Sequence, residues 1–188
     1  MTDIPLTKEE KNTLLTVAKE SITFGLKHSK PLPVNTRDYS FNLQQQRATF
    51  VTLNLHKQLR GCIGTLEAHQ PLIKDVAEHA FAAAFEDPRF PSVTHAELPQ
   101  LEIHISILTP AIPMSFTSEE DLLRQLQPDI DGLILQTGNH RGTFLPAVWE
   151  SLPEPKDFLR HLKMKAGLSG DYWSDDVKVS RYTTVSIP

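Results

Sequence analysis

The sequence predicts an α+β protein with mixed or antiparallel sheets and packed helices. Two observations carry the secondary-structure half of that expectation. Apolar residues recur at helical spacing in some segments and alternate strictly in others. The third observation concerns order: several strand-like segments are neighbours joined by hairpin-length turns, which disfavours a doubly wound parallel sheet.

The first helix is predicted over residues 7–28. Thr7-Lys8-Glu9-Glu10 has the form of a capping box, and Leu14, Leu15, Ala18, Ile22 and Leu26 follow on one face. Pro31-Leu32-Pro33 stops it, since proline lacks the amide and restricts the residue before it. Ala48 to Leu55 alternates as a strand, a second strand runs from about Leu59 to Ile63, and His56-Lys57 is left as a tight turn. Such turns favour glycine or asparagine, so Lys57 fits poorly there. Pro71 opens a helix through Leu72, Ile73, Val76, Ala77, Ala80, Phe81 and Ala84, which Pro88 closes near Glu86-Asp87. Leu101, Ile103, Ile105 and Ile107 alternate as a strand with one buried face.

Residues 109–117 hold two prolines and are expected to be a connection, followed by a short helix from Ser118 to Gln127. Gly132–Thr137 and Thr143–Val148 are expected as strands around a turn-rich loop, Gly138 to Gly142. Lys156 to Ala166 is helical, with Phe158, Leu159 and Leu162 inward and Gly167 just past its end. Val177 to Ile187 is a final extended segment.

The chain has 188 residues, 39% hydrophobic and 22% charged, enough to bury one substantial core and unlike a disordered chain. A formal charge of −4 argues against a general nucleic-acid binder, while leaving room for a local basic pocket. The single cysteine, Cys62, excludes an internal disulfide and a multi-cysteine zinc site. With no signal peptide and no apolar run of membrane-spanning length, a cytoplasmic protein that does not enter a membrane is expected. The histidines are dispersed and form no recognisable ligand set, so neither a metal nor another cofactor is expected.

The most informative stretch is Leu59-Arg60-Gly61-Cys62-Ile63-Gly64-Thr65. On a regular strand Arg60, Cys62 and Gly64 project to one face, which sets a guanidinium beside the thiol, where it would favour the thiolate. Gly61 and Gly64 allow another backbone or a ligand to come close. Cys62 is then a nucleophile or the floor of a binding pocket. The structural alternative makes it a small buried hydrophobe whose flanking glycines only relieve packing against the Pro71 helix. Asp87-Pro88-Arg89-Phe90-Pro91 is the second candidate. Its prolines stiffen a loop that presents an acid and a base two residues apart, either to a ligand or only to each other as a helix terminator.

These motifs together resemble the AMMECR-one domain family, whose prokaryotic members are called AmmeMemoRadiSam system protein A. The resemblance rests on Phe50-Val51-Thr52-Leu53, the cysteine motif, Asp87-Pro88-Arg89-Phe90, Asp131-Gly132-Leu133-Ile134-Leu135, Phe144-Leu145-Pro146, Lys165-Ala166-Gly167-Leu168 and Trp173. It implies one domain over residues 1–188, a single α+β unit with a larger and a smaller subdomain, the chain returning to the larger one at its C-terminus. It also implies partnership with a Memo-type protein and a radical-SAM protein in a modification system. The expected ligand is small and anionic, or a nucleotide, held by Arg60, Gly61, Gly64, Thr65, Asp87 and Arg89, with Cys62 as the candidate catalytic residue. The alternative is a non-catalytic adaptor that scaffolds a separate redox enzyme. Two residues depart from the family pattern: Lys57 stands where relatives tend to have glycine, and Lys163 stands near a second cysteine of some relatives. A mechanism that needs two thiols therefore does not carry over.

Overall fold

The computed structural model describes residues 5–188. They form two compact units, one made of the chain up to Thr109 together with Val185–Pro188, the other of Pro110–Thr184. The fold is α+β, as the sequence predicts.

In the first unit, helix α1 spans Lys8–His28 and begins with the expected capping box: Thr7 Oγ1 accepts from the Glu10 amide at 3.1 Å, and a Glu10 carboxylate oxygen accepts from the Thr7 amide at 2.8 Å. A one-turn helix α2 follows at Phe41–Gln44. Strands β1 (Ala48–Leu55) and β2 (Gln58–Gly64) form the hairpin, helix α3 covers Leu72–Phe85, and β3 covers Leu101–Leu108. The last strand of the chain, β8 (Thr184–Ile187), completes a sheet of order β2-β1-β3-β8. Helices α1 and α3 bury Leu14, Ile22, Ile73 and Val76 against Val51, Leu53 and Ile105, so one face of the sheet is core. Alanines at 77, 80, 83 and 84 of α3 are all buried, as close helix packing requires.

The second unit contains a sheet of order β4-β7-β5-β6, from Ile112–Pro113, Lys178–Tyr182, Gly132–Thr137 and His140–Phe144 respectively. Helices α4 (Glu119–Gln125) and α5 (Pro155–Lys165) supply Leu122, Phe158, Leu159 and Leu162 to its core. There Trp149 stacks on Phe158, with ring centroids 3.8 Å apart.

Several element boundaries differ from the sequence expectation. The connection at 109–117 contains the two-residue strand β4. Helix α4 stops at Gln125 rather than Gln127. The β5–β6 hairpin closes through Gly138-Asn139 alone, because Gly138 adopts φ 55° and turns the chain at once. Strand β6 therefore begins at His140 and ends before Pro146, which opens a 3-10 turn over Pro146–Glu150. The final extended segment divides at Thr183 into β7 and β8, which belong to different sheets. Among the described residues no helix is long and apolar enough to cross a membrane.

Candidate functional site

The hairpin that carries Cys62 is set by one irregular residue. Its turn pairs Leu55 with Gln58 and Asn54 with Leu59, and then the register shifts so that Gly61 lies opposite Leu53 and Cys62 opposite Thr52. Arg60 is the extra residue of this β-bulge. A hairpin without it would set Cys62 opposite Val51, which is fully buried against the helices. The bulge turns Cys62 to the outer face and Gly61 to the inner one. Cys62 is half-buried there, with its Sγ 3.3 Å from Thr52 Oγ1. Across the sheet the same row continues to His104, opposite Thr52 on β3.

Both glycines of the motif are used by the fold. A Cβ on Gly61 would stand 2.0 Å from the Ala83 carbonyl oxygen, so α3 lies directly on the β2 backbone at that point. A Cβ on Gly64 would stand 2.3 Å from the Thr49 carbonyl oxygen and 2.4 Å from the Phe50 ring. The close approach that the sequence left to a backbone or a ligand is made by this protein's own chain. Thr65 continues the pattern, its amide donating to the Thr49 carbonyl at 3.1 Å.

Arg60, expected to share a face with Cys62, is engaged by an acidic side chain. Its guanidinium is held by Glu97, Nε to Oε1 at 2.7 Å and Nη2 to Oε2 at 3.3 Å. That bond, the largest influence, draws the Glu97 carboxyl down to about 2, with the Thr94 amide and hydroxyl adding to it and burial opposing. Arg60 Nη1 is buried and has no partner among the described residues.

A second guanidinium, that of Arg89, meets the Cys62 backbone. β2 is an edge strand, and its Cys62 amide donates to Asp87 Oδ2 at 3.0 Å while the Cys62 carbonyl accepts from Arg89 Nη2 at 3.4 Å. Asp87 and Arg89 are themselves joined, Nε to Oδ1 at 3.0 Å and Nη2 to Oδ2 at 2.7 Å. The pair satisfies one donor and one acceptor of the edge strand, as a neighbouring strand would. The bond to Arg89 is the main reason the Asp87 carboxyl is held far below the usual carboxylate range; burial opposes it, and the Cys62 and Arg89 amides reinforce it. The Asp87 side chain is only 2% exposed, whereas that of Arg89 is 55% exposed. The result is a stiffly mounted guanidinium open to solvent beside a half-buried thiol.

Among the residues singled out in the sequence, Cys62, Asp87 and Arg89 are brought together; Gly61, Gly64 and Thr65 shape the strand; Arg60 is committed to Glu97. Sequence reasoning missed Thr52 and Glu97. Thr52 lies in a quoted motif, but its pairing depends on the bulge. Among the described residues no group of three or more His, Cys, Asp or Glu side chains could hold a metal ion. In the second unit Lys163 is buried, its ammonium donating to Glu119 and, at 3.4 Å, to the Gly170 carbonyl.

The sequence profile of the AMMECR1 family matches residues 15–187. The chain belongs to the AMMECR1 family. It is 37% identical over 184 residues to a protein of Methanothermobacter thermautotrophicus, covering 95% of this chain and 93% of that one. A Thermotoga maritima relative is 39% identical over 144 residues, covering 74% of this chain and 76% of its own. Among solved structures, the uncharacterized protein PH0010 of Pyrococcus horikoshii superposes with a TM-score of 0.89 at 32% identity, covering 96% of this chain and 92% of its own. The AMMECR1 fold thus extends over nearly all of the chain described above.

Proposed function

We propose that this AMMECR1-family protein binds a small anionic or nucleotide-like ligand on the outer face around Cys62. It would do so in the cytoplasm, within a modification system that includes a Memo-type protein and a radical-SAM protein. The observation that carries the reading is the exposed Arg89 guanidinium, held in one orientation by the buried Asp87 beside the half-buried thiol. A fixed guanidinium loses little freedom on meeting a carboxylate or phosphate, which is the condition for tight anion recognition. Phe50 and His104 project from the same outer face and offer rings for a base. The arrangement supports binding; whether Cys62 also attacks a substrate is a separate question of thiol chemistry.

The test is alkylation of native Cys62 by iodoacetamide, with and without nucleoside monophosphates. Modification in the folded protein, slowed by a nucleotide and by Arg89→Gln, is the expected result. A thiol that reacts only in denaturant ends the nucleophile role. A reactive thiol that no nucleotide protects ends the nucleotide reading.

One observation favours the second reading, a non-catalytic adaptor. Asp87 and Arg89 occupy backbone groups of an edge strand, and both glycines are consumed by packing, so the motif can be explained as a rigid surface for a partner. Co-purification with the Memo-type or radical-SAM protein, abolished by Arg89→Glu but unaffected by Cys62→Ser, would favour the adaptor.

A further inference from the structure

The first unit contains a pocket of about 240 Å³ on the helix side of its sheet, lined by residues of α1, α2, α3, β3 and β8. Leu6, Leu72, Ile107 and Val185 supply apolar walls, and Lys11 and Arg47 also line it. Neither cation has an acidic partner among the described residues. The nearby acid, Glu10, is engaged elsewhere: its carboxylate accepts from the Thr7 amide, Ser40 Oγ at 2.6 Å and Asn42 Nδ2 at 3.0 Å. The Ser40 hydroxyl is the main reason its carboxyl sits below the usual value; burial opposes this, and the Thr7 and Asn42 bonds assist. Glu10 thereby fixes α2 to the start of α1 and holds Asn42 in the pocket wall, and its own carboxylate is partner to neither cation.

We propose that this pocket binds a small monocarboxylate with a short apolar body. Two cations with no acidic partner among the described residues, beside apolar walls, recognise an anion joined to a hydrocarbon better than either part alone. The volume lies below the range of drug-sized ligand sites, so the body is short. The pocket lies on the face of the sheet opposite Cys62, because Ile107 pairs with Thr49 on the inner register while Cys62 pairs with Thr52 on the outer one. The proposal therefore stands or falls independently of the ligand reading above.

Hexanoate and its neutral analogue hexanamide test it on the full chain by amide chemical-shift titration. The expected result is saturable shifts at Leu6, Asn42, Leu72 and Val185, with a hexanoate dissociation constant on the order of millimolar for so few atoms. Hexanamide should bind about ten-fold more weakly, and the double variant Lys11→Gln/Arg47→Gln should bring hexanoate to the same level. Cys62→Ser and Arg89→Gln should leave hexanoate binding unchanged. Shifts absent from the pocket, equal binding of the two probes, or unaltered hexanoate binding by the double variant would overturn the proposal. Should that variant not fold, salt decides with the wild type: raised ionic strength must weaken hexanoate and spare hexanamide, and an equal response of the two sinks the idea.

Discussion

At Cys62 a carboxylate and a guanidinium do the work that a further strand would do, and the consequences can be measured there. Replacing Asp87 by alanine leaves the Cys62 amide without its acceptor and frees Arg89. We expect a loss of about 1–3 kcal/mol in urea unfolding, with faster hydrogen exchange at the Cys62 amide than elsewhere in β2. An unchanged Cys62 exchange rate would show that the pair does not hold the strand edge. The same residue explains an acid sensitivity. Asp87 and Glu97 both have carboxyls held below their ordinary values of 3.8 and 4.5, Glu97 at about 2. A carboxyl lowered by folding contributes stability that is complete above its unfolded value and is lost as pH falls through its folded one. Stability should therefore decline from about pH 4.5 to pH 2, and Asp87→Asn/Glu97→Gln should flatten that decline, as thermal unfolding across the range will record. The sequence made Cys62, Asp87 and Arg89 visible as candidates, but not the Glu97 carboxylate that takes up Arg60 or the Thr52 hydroxyl that meets the thiol. Alternation along a strand is a safe guide only while the register is regular, and nothing in Leu59-Arg60-Gly61 announces the extra residue.

At the scale of elements, the β1–β2 turn is the clearest strain in the first unit. His56 and Lys57 have φ of 52° and 63°, the left-handed conformation that glycine adopts without a Cβ clash. Lys57 looked misplaced in the sequence for this reason, and the structure keeps the turn rather than lengthening it. Lys57→Gly should stabilise the protein by about 1 kcal/mol, visible as a raised urea midpoint with the denaturant slope unchanged. A lower midpoint would mean that the Lys57 side chain contributes something the turn geometry does not reveal. Elements with a strong period were legible: α1, β1 and β3 lie where the spacing of Leu14 to Ile22, Val51 to Leu55 and Leu101 to Ile107 puts them. The boundaries that failed were those decided by pairing at a distance. β4 is two residues long and exists because β7 lies beside it, and Thr183 divides a uniform extended run only because its two halves join different sheets.

For the whole molecule, the route of the chain matters more than any single contact. The second unit is an insertion between β3 and β8 of the first, so both ends of that insertion are anchored in one sheet. We propose that the chain unfolds as one cooperative domain, and the protein carries its own probes for the test. Both tryptophans, Trp149 and Trp173, lie in the second unit, whereas the long helices α1 and α3 belong to the first. Tryptophan fluorescence and far-ultraviolet circular dichroism should give coincident urea transitions; separated midpoints would establish independent domains. Ending the chain at Thr183 should cost the first unit at least about 2 kcal/mol, since Ile187 is 2% exposed and joins its core. Urea unfolding followed by circular dichroism checks this, and an unaltered midpoint would make β8 dispensable. The same closing strand also orders events on the ribosome. Residues up to Thr109 emerge early with helices and three strands ready to pack, but the outer edge of β3 has no partner until Thr184–Ile187 have been made. Throughout synthesis of the insertion that edge is open to pairing with another strand, and the arrival of β8 is what seals it.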